Sequence, residues 1–152
     1  MINISSSVVI YRPVGMVFDF ISSAANDFEW QYGTLASGPT KPETIRTGGS
    51  FRTIGHLMGH RMQSTYEVTH FEADRRYGFK SLSGPLHLHT MFTLETEKGQ
   101  TRLQVTTQAS PANVLHTNER VVERFMQKQL REDLAMLKSI LEARSSLPNR
   151  AA

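Results

Sequence analysis

Residues 86–109 read Leu-His-Leu-His-Thr-Met-Phe-Thr-Leu-Glu-Thr-Glu-Lys-Gly-Gln-Thr-Arg-Leu-Gln-Val-Thr-Thr-Gln-Ala, and this stretch decides the fold. Leu86, Leu88, Thr90, Phe92 and Leu94 alternate with His87, His89, Met91, Thr93 and Glu95. After the turn at Glu97-Lys98-Gly99-Gln100, Leu103, Val105, Thr107 and Ala109 alternate with Arg102, Gln104, Thr106 and Gln108. A period of two places one apolar and one polar face on each strand, so Leu86–Glu95 and Thr101–Ala109 form an antiparallel hairpin. An apolar sheet face has to be covered by another element.

The cover lies downstream. Val122, Met126, Leu130, Leu134, Leu137 and Leu141 recur at steps of three and four, and Phe125 and Ile140 widen the stripe. Glu123, Arg124, Arg131, Glu132, Lys138 and Glu142 occupy the other side. The pattern predicts one amphipathic helix from about 113–118 to Arg144. Roughly 28 residues at 1.5 Å each span about 40 Å, enough to cross a sheet.

Upstream, turn signals at Gly38-Pro39, Gly48-Gly49, Met58-Gly59-His60, Ala73-Asp74-Arg75 and Ser83-Gly84-Pro85 separate further strand-like runs. These are Tyr32–Ser37, Ser50–Met58, Arg61–Phe71 and Arg76–Leu82. Ile4–Tyr11 reads as a first strand. Pro13 suits a helix start, and Val14, Val17, Phe18 and Ile21 follow at helical spacing. A second helical turn is expected over 25–30, with Asn26 or Asp27 near its start. The sum is an α+β chain: a strand, two short helices, six strands and a long helix. Residues 1–145 are expected to form one domain, and 146–152, with Pro148, a frayed tail.

Composition narrows the function classes. The chain has 152 residues and no cysteine, which excludes disulfides, thiolate metal sites and a cysteine nucleophile. Seventeen Lys and Arg against fourteen Asp and Glu give a net charge of +3. The arginines are scattered among acids instead of gathered on one face, so no nucleic-acid partner is expected. No apolar run approaches the roughly 18 residues of a membrane span, and no integral membrane contact is expected. The start, Met1-Ile2-Asn3-Ile4-Ser5, lacks a basic n-region and a cleavage site, so a cytoplasmic location is expected.

Ser7-Val8-Val9-Ile10, Pro13, Val17-Phe18-Asp19-Phe20-Ile21 and Trp30 together resemble the opening of the START-like (SRPBCC) superfamily. That group includes polyketide cyclases and dehydrases, lipid-transport proteins and pollen allergens. Tyr66-Glu67-Val68 leading to Arg75-Arg76-Tyr77-Gly78-Phe79 resembles its fourth-to-fifth strand passage, and Gly99-Gln100-Thr101-Arg102-Leu103 its last hairpin. The resemblance implies a helix-grip fold, a seven-stranded antiparallel sheet wrapped around the C-terminal helix. It implies the strand order 2-1-7-6-5-4-3 and an internal cavity for a small hydrophobic or aromatic molecule.

Given such a cavity, its expected lining is Trp30 and Tyr32 beyond the short helices, and Phe51, Tyr66, Phe79 and Phe92 from the sheet. Asn118, Val122, Phe125, Met126 and Gln129 would face them from the helix. An apolar wall with a few placed polar groups is the ordinary composition of a ligand site. The same stripe of aromatic and methionine side chains also suits a closed core. Leu134, Leu137 and Leu141 are expected to be plain core.

Other chemistry is weak. His87 and His89 share one strand face about 7 Å apart, a spacing open to Zn²⁺. Glu95 is too far along the strand to join them, His56 and His60 belong to another turn, and alternation turns the pair toward solvent. No metal and no cofactor are expected; with Met91 the pair could instead mark a homodimer contact. No G-x-S-x-G elbow, phosphate loop or dinucleotide fingerprint occurs. The carboxylates Glu123, Glu132 and Asp133, interleaved with Arg120, Arg124, Lys128 and Arg131, read as a solvated helix face.

Three functions remain open. The first is a carrier or sensor of a small hydrophobic or aromatic ligand. The second is a polyketide cyclase or aromatase-type enzyme, with Tyr32, Tyr66, Asn118 and Gln129 as polar candidates. The third is an interaction module such as a toxin component or chaperone activator. Two inward groups with matched pKa values would favour the enzyme, and no inward Asp, Glu or His is assigned.

Overall fold

Alternation carries through to the architecture. The structure, a computed structural model, describes residues 1–40, 47–111 and 118–144. Strand β1 (Ile2–Ile10) leads to helix α1 (Val14–Ile21), a 3-10 turn (Ala24–Asn26) and the short helix α2 (Asp27–Trp30). Strands β2 (Thr34–Pro39), β3 (Ser50–Leu57), β4 (His60–Glu72), β5 (Arg76–Ser83), β6 (Leu86–Glu97) and β7 (Gln100–Pro111) follow, and then helix α3 (Glu119–Ala143). This is the helix-grip arrangement. The expected frayed tail, and the expected helix start before Asn118, lie outside the described residues. Asn118 itself caps α3, its side chain accepting from the Arg120 amide at 2.7 Å.

All strand pairs are antiparallel, in the order β1-β7-β6-β5-β4-β3-β2. The expected order put strand 2 beside strand 1; instead it pairs with β3 at the opposite edge. The reason lies in the linking helices, which carry the chain across the concave face. The Gly33 carbonyl then accepts the His56 amide at 2.7 Å. Thr34 pairs with Gly55, where a Cβ would sit 2.0 Å from the Gly33 oxygen, so only glycine permits this approach. The strand also begins at Thr34 instead of Tyr32, because the Thr34 amide still bonds back to the Gln31 carbonyl.

Three hairpin links are two residues long, Gly84-Pro85 between β5 and β6 being one. Met58-Gly59 joins β3 to β4 and Lys98-Gly99 joins β6 to β7, with positive φ at all four residues. That is the geometry of the mirror-image turn that matches strand twist. Register shifts interrupt the β4–β5 pairing between Thr65 and Tyr66 and between Val68 and His70. Such irregularities bend a strand, and the sheet curls around α3.

Edge strand β1 is covered as well. Glu123 accepts the Asn3 amide, Gln127 bonds both the amide and the carbonyl of Ser5, Lys138 donates to the Val9 carbonyl, and Glu142 accepts the Tyr11 amide. The side of α3 expected to be solvated therefore includes Glu123, Lys138 and Glu142 as substitutes for a missing neighbour strand. The Arg12 guanidinium donates to the Glu142 and Arg144 carbonyls, satisfying the last turn of α3.

The interior has two apolar clusters. The larger gathers Val17, Phe18 and Ile21 of α1, Leu103 and Val105 of β7, and Leu134, Leu137 and Leu141 of α3. The smaller gathers Ile2, Ile4, Leu57, Leu86, Ala109 and Val122.

Candidate functional site

Between these clusters lies a cavity of about 220 Å³. Its walls draw on both: Ile4, Leu57 and Leu86 from the smaller, Trp30, Phe51, Phe92 and Val105 from the larger. The sheet side is aromatic. Phe51, Tyr66 and Phe79 form a triangle with ring centroids 5.1–5.3 Å apart, and Trp30 meets Phe92 edge-on at 6.2 Å. Trp30 comes from α2, and β3, β4, β5 and β6 each supply one of the other four rings, which strand pleating aims at one space. On the helix side, Met126, Gln129, Leu130 and Asp133 complete the lining.

Of the residues proposed from sequence, Trp30, Phe51, Tyr66, Phe79, Phe92, Met126 and Gln129 line this cavity. Four expected side chains are placed elsewhere. Tyr32 is 62% exposed, because β2 starts two residues later and the side chain lies on the outside of that corner. Asn118 is exposed and occupied in capping α3. Phe125 is 40% exposed, one residue round the helix from the wall that Met126 forms. Val122 is buried, but it packs into the smaller cluster and not against the cavity.

Two carboxyls overturn the expectation of no inward acid. Asp27, in α2, is 6% exposed and lines the cavity. No described residue hydrogen-bonds its side chain, and burial alone holds its pKa well above the usual carboxylate range. Asp133, in α3, is buried too and lines the same cavity. Burial pushes its pKa up to about 7, against the opposing effect of the Tyr32 amide, which donates to it at 3.1 Å. Helix phase carried a signal for Asp133, which follows Gln129 by four residues and Leu130 by three. Asp27 sits one turn before Trp30 and shares its side of α2.

The remaining polar lining is mostly satisfied. Thr90 and Thr107, opposite each other on β6 and β7, bond through their hydroxyls at 2.8 Å. Burial raises the Tyr66 pKa, opposed by hydrogen bonding to Ser64 and Thr53. The Trp30 indole nitrogen is buried without a partner among the described residues. His87 and His89 are exposed on the opposite, convex face. Among the described residues no three His, Asp or Glu side chains are grouped to hold a metal ion. No described helix is long and apolar enough to cross a membrane.

The family model for polyketide cyclase / dehydrase and lipid transport matches residues 1–142. The chain belongs to that family. No curated protein matches it. Among solved structures, a protein from Thermus thermophilus superposes with a TM-score of 0.80 at 17% identity, over 95% of this chain and 99% of that one. A START superfamily protein from Mycobacterium smegmatis gives 0.80 at 12% identity, over 94% and 99%. The di-domain ARO/CYC BexL from the BE-7585A biosynthetic pathway gives 0.71 at 14% identity, over 93% of this chain and 47% of that one. At these identities the likeness establishes the shared fold. The family's architecture, a curled sheet gripping a C-terminal helix, is compatible with hydrophobic ligand binding.

Proposed function

We propose that the protein binds a small hydrophobic or aromatic molecule non-covalently in this cavity, as a carrier or sensor. The observation that carries the reading is the cavity itself, an aromatic-walled space of about 220 Å³ interrupting the core. The space opens partly to solvent and is walled mainly by apolar and aromatic side chains with a few polar groups, the composition of a small-molecule site. A cavity of about 150 Å³ lined by aliphatic and aromatic side chains is enough for benzene. By that scale the occupant has one or two rings.

Calorimetric titration with naphthalene tests the proposal, comparing wild type with Met126→Trp. Saturable one-to-one binding is expected in wild type and none in the variant, whose circular dichroism should remain that of the wild type. Absence of saturable binding in wild type, or equal binding by both proteins, overturns the reading.

A second reading, a cyclase- or aromatase-type enzyme, is favoured by one observation. Asp27 and Asp133 both enter the cavity, and a carboxyl with a pKa near neutrality suits proton transfer to or from a bound substrate. Conversion of a poly-carbonyl substrate, lost in Asp133→Asn, would put the enzyme ahead of the carrier.

A further inference from the structure

The lining of the cavity is chemically lopsided. It contains two carboxyls and, among the described residues, no lysine or arginine. Its one imidazole belongs to His56, an exposed residue. Asp27 is nine-tenths buried, faces the cavity and has no hydrogen-bond partner among the described residues. Asp133 accepts one backbone N–H at its Oδ1. Buried polar groups are normally hydrogen-bonded, and Asp27 has no such partner on the protein side of the cavity among the described residues.

Three kinds of polar ligand can be weighed against this lining. An anion, such as a carboxylate or phosphate head group, meets two acids and no cation. A neutral carbonyl offers acceptors only: it can accept from the protons that burial holds on the carboxyls and from the unpartnered Trp30 N–H, but it leaves the carboxyl oxygens themselves unpaired. An ammonium group brings three donors, no acceptor and a positive charge, so it pairs with the carboxyl oxygens and favours their ionised form. The apolar walls add to the same preference. Aromatic rings attract cations electrostatically at their faces, and Phe51, Tyr66 and Phe79 all line this cavity.

We infer that the cavity selects an organic amine, a protonated nitrogen on a body of one or two rings, with Asp27 and Asp133 as its counter-charges. This rests on the reading that the cavity holds a ligand, and it names the class of that ligand.

Three probes with the same ring system separate the two claims: 1-naphthylmethylamine, 1-naphthylmethanol and 1-naphthoate, each titrated by calorimetry at pH 7.5 and low salt. Expected is at least tenfold tighter binding of the amine than of the alcohol, with the naphthoate weakest. In Asp27→Asn the affinities for amine and alcohol should converge, and Asp133→Asn should narrow the same gap. Alcohol binding equal to or tighter than amine binding overturns the amine inference while the hydrophobic-ligand reading stands. An amine preference that survives both substitutions also overturns it. Failure of all three probes to bind removes the cavity reading itself. Since each substitution replaces a buried acid with its neutral isostere, a circular dichroism spectrum and a cooperative melt accompany each titration.

Discussion

Replacing Asp133 by asparagine should make the protein more stable at pH 8 and flatten its stability-pH curve. The carboxyl has its pKa raised from 3.8 to about 7 by burial. A carboxyl raised on folding contributes stability below its unfolded pKa and loses it as pH climbs through the folded value. The window is therefore from about pH 4 to about pH 7. In that range the unfolded chain has released the proton while the native chain still holds it. With about 1.4 kcal/mol per pKa unit, the full effect is about 4 kcal/mol, of which about 2.5 kcal/mol falls between pH 5 and pH 8. Asparagine keeps the carbonyl oxygen that accepts the Tyr32 amide, so the α2–β2 corner retains its tie to α3. The assay is urea unfolding of both proteins at pH 5 and pH 8. Asp27, raised in the same direction, titrates in both and cancels in the comparison. Wild type should lose about 2.5 kcal/mol more than the variant on going from pH 5 to pH 8. Parallel curves would refute the reasoning, because they would mean Asp133 is solvated in the native state.

Leu134 and Met126 lie on the same side of α3 in different surroundings, one fully packed and the other against the cavity. Leu134→Ala should cost about 2–5 kcal/mol and Met126→Ala about 2 kcal/mol or less, read from urea midpoints. Gly55→Ala should strip β2 from the sheet edge, since the added methyl would need to occupy a point 2.0 Å from the Gly33 oxygen. Hydrogen exchange should show protection lost over residues 34–39 and kept over β6 and β7.

Much of the architecture was legible because burial is one-sided. Along β6 and β7 every second residue faces the core, so the period of two survives any detail of packing. The α3 stripe survives for the same reason. The placement of β2 did not, since Thr-Leu-Ala-Ser-Gly-Pro is short and mixed and has no strong face. Its partner is chosen by a backbone approach at Gly33 and Gly55, which leaves no trace in hydrophobic periodicity. The tie between α3 and the β1 edge was hidden differently. Glu123, Gln127, Lys138 and Glu142 look like ordinary surface residues, and their role appears only once β1 is known to lack a neighbour.

The aromatic wall was readable from strand phase, whereas the two acids were not, and the difference is physical. Periodicity treats charge as a mark of solvent, which holds when the interior is closed. An interior that contains a polar-lined space breaks the rule only at the residues bordering that space. Along α3, Val122 is packed, Met126 to Asp133 border the cavity, and Leu134 to Leu141 are packed again. Asp133 stands three residues after Leu130 and four before Leu137, a phase that an uninterrupted core would give to an apolar side chain. A carboxyl in a core-phase position, flanked by leucines, is thus itself the mark of an internal site. Asp27 repeats it one turn before the buried Trp30 on the opposing short helix. Reading such residues as misplaced core, instead of as surface, would have located both acids without coordinates.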